Sequence, residues 1–267
     1  MDELYLRNDL KVAWNARDPF EVVRDLHGET YRSVKNRRTI RFAENKSTYF
    51  AKIHDGVGWG ELIKNLISLK PPVIGARNEY LACTHLEAHR ISAPRVAGFG
   101  RCGRNPARIR SFVICDALEG FISLEDLTNH WQERPPSPRF RRRLVEAIAD
   151  LTREIHRSGV NHRDYYLCHI FADVAAFERG EIELAVIDLH RAQVRKHIPT
   201  KWALRDLAAL LFSVMHLGVP RADYFRFIAR YTGRPFREAL KQDGDFWYKV
   251  DRRACRLFAK AVSRGIV

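Results

Sequence analysis

The sequence predicts an α+β fold in two lobes, a small β-rich lobe in front and a larger helical lobe behind. Three observations carry this reading. Period-two alternation fills the first third after a short helix, and period-3.6 patterns dominate from residue 140 onward. A hydrophobic fraction of 46% over 267 residues then suffices for two cores. The apolar run ending in Asp116-Ala117-Leu118-Glu119-Gly120 reads as a hinge, which assigns residues 1–118 to an N-terminal lobe and 119–267 to a C-terminal one. A cleft between two such lobes is where a ligand is expected.

Thr30 to Val34, Thr39 to Phe42 and Ser47 to Ile53 read as three consecutive antiparallel strands. Their turns are Lys35 to Arg38 and the stretch around Glu44-Asn45-Lys46. Trp59, Leu62, Ile63, Leu66 and Leu69 recur at helical spacing, with Lys64 and Lys70 beside them, up to Pro71-Pro72. That apolar face either packs on the small lobe, the commoner fate, or lies in a membrane interface. A second helix is expected over residues 75–90, and two more strands over 95–99 and 111–115. Arg134-Pro135-Pro136-Ser137-Pro138 breaks the chain before a long helix from Phe140 to Ser158, in which Leu144, Ala147, Ile148, Leu151 and Ile155 keep the period. Beyond it, only Leu184 to Asp188 reads as strand, the rest as helices and loops.

The charge balance, 46 Lys and Arg against 32 Asp and Glu, leaves +14. That field suits nucleic acid, an anionic membrane, a phosphorylated substrate or an acidic protein. No RNA-binding motif or aromatic-basic strand pattern appears, so nucleic acid is not expected. The five cysteines form no C-x-x-C pair and are too few for a disulfide framework, which points to a reducing compartment. The N-terminal stretch has no signal-peptide pattern, and the most apolar run, Leu204 to Val219, is broken by Arg205, Asp206 and His216. A cytoplasmic protein is the expectation.

The chemistry concentrates after the long helix. Gly159-Val160-Asn161-His162-Arg163-Asp164 is followed, 24 residues beyond Asp164, by Val186-Ile187-Asp188 at the end of an apolar strand. This resembles the catalytic loop and the metal-binding Asp of the protein-kinase fold, with Lys52 on the third strand where that fold keeps its phosphate-binding Lys. Phosphoryl transfer explains the residue types. Negative charge spreads over the oxygens of the transferring group, so the site must supply cations, a lysine and a Mg²⁺ ion held by a carboxylate. A second carboxylate orients the acceptor hydroxyl and takes its proton. Taken singly, Asp164 is a loop Asp, Asp188 a helix cap and Lys52 an edge-strand Lys; their order and spacing together favour the catalytic reading.

The strings Lys52-Ile53-His54, Gly58-Trp59-Gly60-Glu61, Asn161-His162-Arg163-Asp164 and Ile187-Asp188-Leu189-His190-Arg191-Ala192-Gln193 resemble the bacterial lipopolysaccharide core heptose(I) kinase family, over roughly residues 12–245. The resemblance implies ATP-dependent phosphorylation of the first heptose of the lipid A-linked inner core, with Mg²⁺, at the inner face of the inner membrane. The positive charge adds an anionic membrane surface and an acidic protein such as an acyl carrier protein as further expected partners. The resemblance makes Asp164, within His162-Arg163-Asp164, the catalytic base and Asp188 the metal ligand. It makes Lys52 the phosphate ligand, Glu79 its ion-pair partner, and Asp206 the brace of the catalytic loop. Asp116 and Leu118 would present backbone groups to adenine.

The chain departs from the protein-kinase pattern in several places. No Gly-rich loop precedes Lys52, so Arg37 and Arg38 are candidates to cover the phosphates. Five residues after Asp164, where protein kinases keep a metal-binding Asn, stands His169; Mg²⁺ prefers oxygen, so its ligation is left open. The segment after Asp188 is short and basic. His190, Arg191, Arg195, Lys196 and Lys201 there suit a phosphorylated or carboxylated saccharide better than a folded protein, against the plain alternative of solvated surface charge. A protein tyrosine kinase or antibiotic phosphotransferase of the same fold, and a non-catalytic basic scaffold, are the rival readings. Zinc, through His162, Cys168 and His169 or through His85 and His89, fares worse because neither set supplies enough ligands.

Overall fold

The computed structural model describes residues 2–34, 36–67 and 74–265 and resolves into two compact units. The first comprises Met1–Glu87, Pro94–Glu119 and Asp188–Arg191. In chain order it contains β1 (Glu3–Leu6), α1 (Asn8–Trp14), α2 (Pro19–Arg24), β2 (Glu29–Val34), β3 (Arg37–Glu44), β4 (Ser47–Asp55), α3 (Trp59–Ile67), α4 (Arg77–Ala88), β5 (Val96–Cys102) and β6 (Arg110–Asp116). The strands form one antiparallel sheet in the order β1-β5-β6-β4-β3-β2. Alternation along β4 decides what this sheet can do. Tyr49, Ala51 and Ile53 turn into a core with Leu10, Trp14, Ile40, Phe42 and Phe112, which leaves Lys52 and His54 together on the other face.

The second unit comprises Ala88–Ala93, Gly120–Ile187 and Ala192–Val267. Its elements are β7 (Phe121–Ser123), α5 (Leu124–Thr128), α6 (Pro138–Arg157), β8 (Val160–Asn161), β9 (Ile170–Asp173), α7 (Val174–Glu178), β10 (Leu184–Val186), β11 (Gln193–Val194), α8 (Thr200–Val214), α9 (Arg221–Thr232) and α10 (Phe236–Val262). The short strands make a sheet β10-β9-β7 and a ribbon β11-β8. In α6, Leu144, Ile148, Leu151 and Ile155 are buried at helical spacing. Leu207, Ala208, Trp247 and Val250 form a second apolar cluster between α8 and α10.

The differences from the sequence expectation have physical reasons. The long helix begins at Pro138, not Phe140, because Ser137 caps it, accepting from the Phe140 N–H at 3.2 Å, and proline suits the first helical position. Strands β1, β7, β8, β9 and β11 were not expected; at two to four residues each, they are too short to show alternation. Asp188 is not the end of a strand, since β10 stops at Val186 and Asp188 takes a left-handed conformation with φ of 58°. On α3, Trp59, Ile63 and Ile67 are 58%, 53% and 78% exposed, so packing on the sheet does not account for them. Leu69, Lys70, Pro71 and Pro72, expected to finish that helix, lie outside the described residues.

Candidate active site

In the first unit the site is built on the ammonium of Lys52. Its Nζ donates to Glu79 Oε1 on α4 at 2.7 Å and to Asp188 Oδ1 at 2.5 Å. His190 Nδ1 donates to the same Asp188 oxygen at 2.9 Å. Burial by itself would push the Asp188 carboxyl up, but the His190 hydrogen bond and the Lys52 charge more than reverse this, holding it far below the usual carboxylate range. Burial likewise works against the Lys52 charge, and the two carboxylates overcome it, so the ammonium stays protonated. The result is a fixed cation beside a fixed anion, neither of which titrates near neutral pH.

Around this pair the sheet face is electropositive. Arg37 on β3 stands in register with His54 on β4, and both Arg37 Nε and His54 Nε2 are buried without a hydrogen-bond partner among the described residues. His54 is pushed down to about 3 by burial first and then by the charges of Arg37, His190 and Lys52, so it is a neutral imidazole. Arg38 instead donates to the Arg24 carbonyl at the end of α2, at 2.8 Å. The Asp116 carboxylate is held by Arg7 through two hydrogen bonds of 2.7 and 2.8 Å, and its N–H goes to the Arg95 carbonyl. The Ala117 N–H goes to Thr48 O, which brings Leu118 up to the end of the sheet.

In the second unit, Gly159 follows two residues after the end of α6, and its φ of 90° suits glycine alone; an added Cβ would lie 1.8 Å from the Arg195 carbonyl oxygen. Strand β8 then delivers His162-Arg163-Asp164. Asp206 on α8, 1% exposed, accepts from the His162 N–H at 2.7 Å and the Arg163 N–H at 2.8 Å. These two bonds hold Arg163 at a φ of 74°, a left-handed backbone that costs a non-glycine residue about 1 kcal/mol or more. His162 is fully buried, and burial lowers its pKa. As a neutral ring it donates from Nε2 to the Ile187 carbonyl at 2.8 Å. Its Nδ1 faces the Asp164 N–H at 3.3 Å. His169 donates from Nδ1 to the Asp164 carbonyl at 2.7 Å and stacks on His162, so Nδ1 is not available to ligate a metal.

The basic residues after Asp188 divide. His190 serves Asp188 rather than facing solvent, and Arg195 donates to Asn161 Oδ1 at 2.5 Å and Gln193 Oε1 at 2.7 Å. Lys196 and Lys201 are exposed and Arg191 half-buried. Sequence reasoning passed over His54, whose signal was its period-two spacing from Lys52. It also passed over Trp202, around which four cations gather. Among the described residues no three His, Cys, Asp or Glu side chains converge to hold a metal ion by themselves.

An antiparallel sheet carrying a Lys–Glu pair, with an Asp206-braced His-Arg-Asp loop in a helical unit, defines a phosphotransferase of the protein-kinase-like fold. The chain matches the lipopolysaccharide kinase (Kdo/WaaP) family over residues 21–231, and it belongs to that family. It is 42% identical over 263 residues to the lipopolysaccharide core heptose(I) kinase WaaP of Pseudomonas aeruginosa, covering 98% of each chain. It is 37% identical over 262 residues to the enzyme of that name from Escherichia coli K12, covering 98% of this chain and 99% of the relative. A solved structure of WaaP in complex with acyl carrier protein aligns with a TM-score of 0.82 and 38% identity over 96% of this chain and 99% of that one.

The neutral state of His54 has a measurable consequence. Its folded pKa is depressed to about 3 from an ordinary 6.5. As pH falls below 6.5 the unfolded chain therefore takes up a proton that the native ring refuses. Stability drops by up to about 1.4 kcal/mol per pH unit from this group. His54→Phe is expected to flatten the fall of Tm between about pH 6.5 and 5. An unchanged slope in thermal melts would show that His54 is not a buried neutral ring.

Proposed function

We propose that the protein transfers the γ-phosphoryl group of ATP to a hydroxyl of the first heptose of the lipopolysaccharide inner core. The observation that carries this is Lys52 bridging Glu79 and Asp188, in a chain that resembles heptose(I) kinases from end to end. The donor set fits a nucleotide with Mg²⁺: Asp188 is a carboxylate kept ionised, and the orphaned Arg37 Nε and His54 Nε2 stand beside Lys52 where phosphate oxygens could satisfy them. Mg²⁺, when bound to Asp188 and the phosphates, would neutralise charge building up on the transferring group. Lys52 adds a fixed positive charge, and Glu79 keeps that ammonium from swinging away. Asp116 and Leu118 would offer backbone groups to adenine. Asp164 orients the acceptor hydroxyl and takes its proton, on a loop whose backbone Asp206 fixes through two amides. In this reading His162 and His169 shape the loop, through Ile187 and Asp164 respectively, rather than touching substrate. Residues 1–118 form the nucleotide-covering lobe and 119–267 the catalytic and acceptor lobe.

An acyl carrier protein is the partner we propose. The relative's complex suggests it, and two properties of this chain suit it: a net charge of +14 for an acidic partner, and an apolar cavity of about 420 Å³ in the second unit. Leu144, Ile148, Leu207, Leu211, Phe227 and Trp247 help to line that cavity, a setting for an acyl chain and not for a sugar. No helix among the described residues is long and apolar enough to cross a membrane. We propose instead that the protein works in the cytoplasm, at the inner face of the inner membrane, held there by anionic lipid and by the exposed Trp59, Ile63 and Ile67 stripe of α3.

Asp164→Ala should abolish transfer of label from γ-labelled ATP to core oligosaccharide while nucleotide affinity stays within a few-fold, and Asp188→Ala should remove Mg²⁺-dependent nucleotide binding as well. Wild-type turnover in the first, or Mg²⁺-dependent affinity in the second, would overturn the assignment. Acylated carrier protein should raise Tm more than its unacylated form; equal shifts would exclude the cavity as its seat. Binding to anionic liposomes should weaken as salt rises and weaken further in Trp59→Ser with Ile63→Ser. A folded double variant that sediments like wild type would remove α3 from the membrane contact.

A further inference from the structure

Trp202, in the first turn of α8, is half-buried and ringed by cations. The charge centres of Arg205, Arg163, Lys201 and Arg195 lie 4.5, 5.2, 5.7 and 5.9 Å from the centroid of its ring. Each such contact is a cation–π attraction, which offsets part of the repulsion among like charges crowded on one side chain. Among the described residues no carboxylate pairs with Arg195, Lys201 or Arg205, and the oxygens that Arg195 meets belong to the neutral amides of Asn161 and Gln193. The surplus is felt nearby, since burial and the charges of Arg205 and Arg256 lower the pKa of Arg253. Arg163 directly precedes Asp164, and its backbone is fixed by Asp206. The cluster is thus tied to the loop that carries the proposed base.

We propose that Arg163, Arg195, Lys201 and Arg205, gathered on the indole of Trp202, bind the carboxylate- or phosphate-bearing part of the saccharide acceptor. An anion there relieves the mutual repulsion and meets guanidinium forks already in place, so little side-chain entropy is lost on binding. Trp202 is the scaffold of the cluster, and the cations make the contact. This inference rests on the saccharide-kinase reading and assigns the site that recognises the acceptor's charge.

The test compares wild type with Lys201→Gln/Arg205→Gln, both at exposed positions, using core oligosaccharide in its native, carboxyl-reduced and dephosphorylated forms. The double variant should raise the KM for native acceptor at least tenfold, with the KM for ATP within about twofold, and should flatten the rise of acceptor KM with salt. Whichever modified acceptor loses affinity for wild type, yet is no worse in the double variant, identifies the anion as carboxylate or phosphate. Trp202→Leu should behave like the double variant; should it fail to fold, the charge variant still reads the site. Titration of the oligosaccharide without nucleotide separates the two readings. Zero turnover with a wild-type Kd that the double variant weakens tenfold would sink the kinase reading and keep this one. An equal Kd in both proteins would overturn this one alone.

Discussion

One ammonium group does most to define the first unit. Lys52 Nζ ties together stretches 27 and 136 residues away in sequence, α4 through Glu79 and the short segment through Asp188. At side-chain exposures of 16%, 7% and 23%, the three groups are sheltered enough for each charge to need the others. A buried charge stripped of its partner costs several kcal/mol, whereas the complete cluster comes near to balance. Its worth lies in specificity: few other arrangements of these segments satisfy all three groups at once. His190 and His54 then take states dictated by the cluster, one donating to Asp188 and the other left neutral.

The second unit has its counterpart in Asp206. A single buried carboxylate turned toward two successive amides overrides the backbone preference of Arg163, and His156 Nε2 lies 3.5 Å from the same carboxylate. Asp188, at a φ of 58°, is likewise bonded through its side chain on both flanks. The left-handed residues nearest the chemistry are therefore held by hydrogen bonds and not by glycine. The proposed function gives a reason for this, because a glycine at either place would lose a side chain to which that reading assigns a role.

Much of this was legible in the residues. Lys52, Asp164 and Asp188 stand out by their joint order and spacing, Glu79 and Asp206 only through the family resemblance, and the α+β class follows from periodicity that long elements cannot hide. What escaped depends on tertiary pairing. Strands as short as Val160–Asn161 exist only because Gln193–Val194 lies beside them. The role of His190 is invisible until Asp188 turns back on itself, and Arg163, in the loop after β8, reaches Trp202 from a stretch of chain distant from the Arg195, Lys201 and Arg205 that flank the indole in sequence. The exposed stripe on α3 was readable as amphipathic, but whether it faced the sheet or solvent is a question of packing that no periodicity answers.

The clamp on Asp116 bears on the order in which the protein can be built. Arg7, which also binds Asp9, grips a carboxylate 109 residues downstream, and Asp9 in turn accepts from the Tyr49 hydroxyl at 2.8 Å. During synthesis β1 leaves the ribosome long before β5, the strand against which it pairs, so the sheet stays open at one edge while β2, β3 and β4 are already able to associate. An unpaired strand beside a polar clamp that lacks its far half is the kind of edge that recruits other chains. The nascent first unit is thus most vulnerable to aggregation between the emergence of β4 and that of β6, a window in which shielding by a chaperone would matter more than at any later stage.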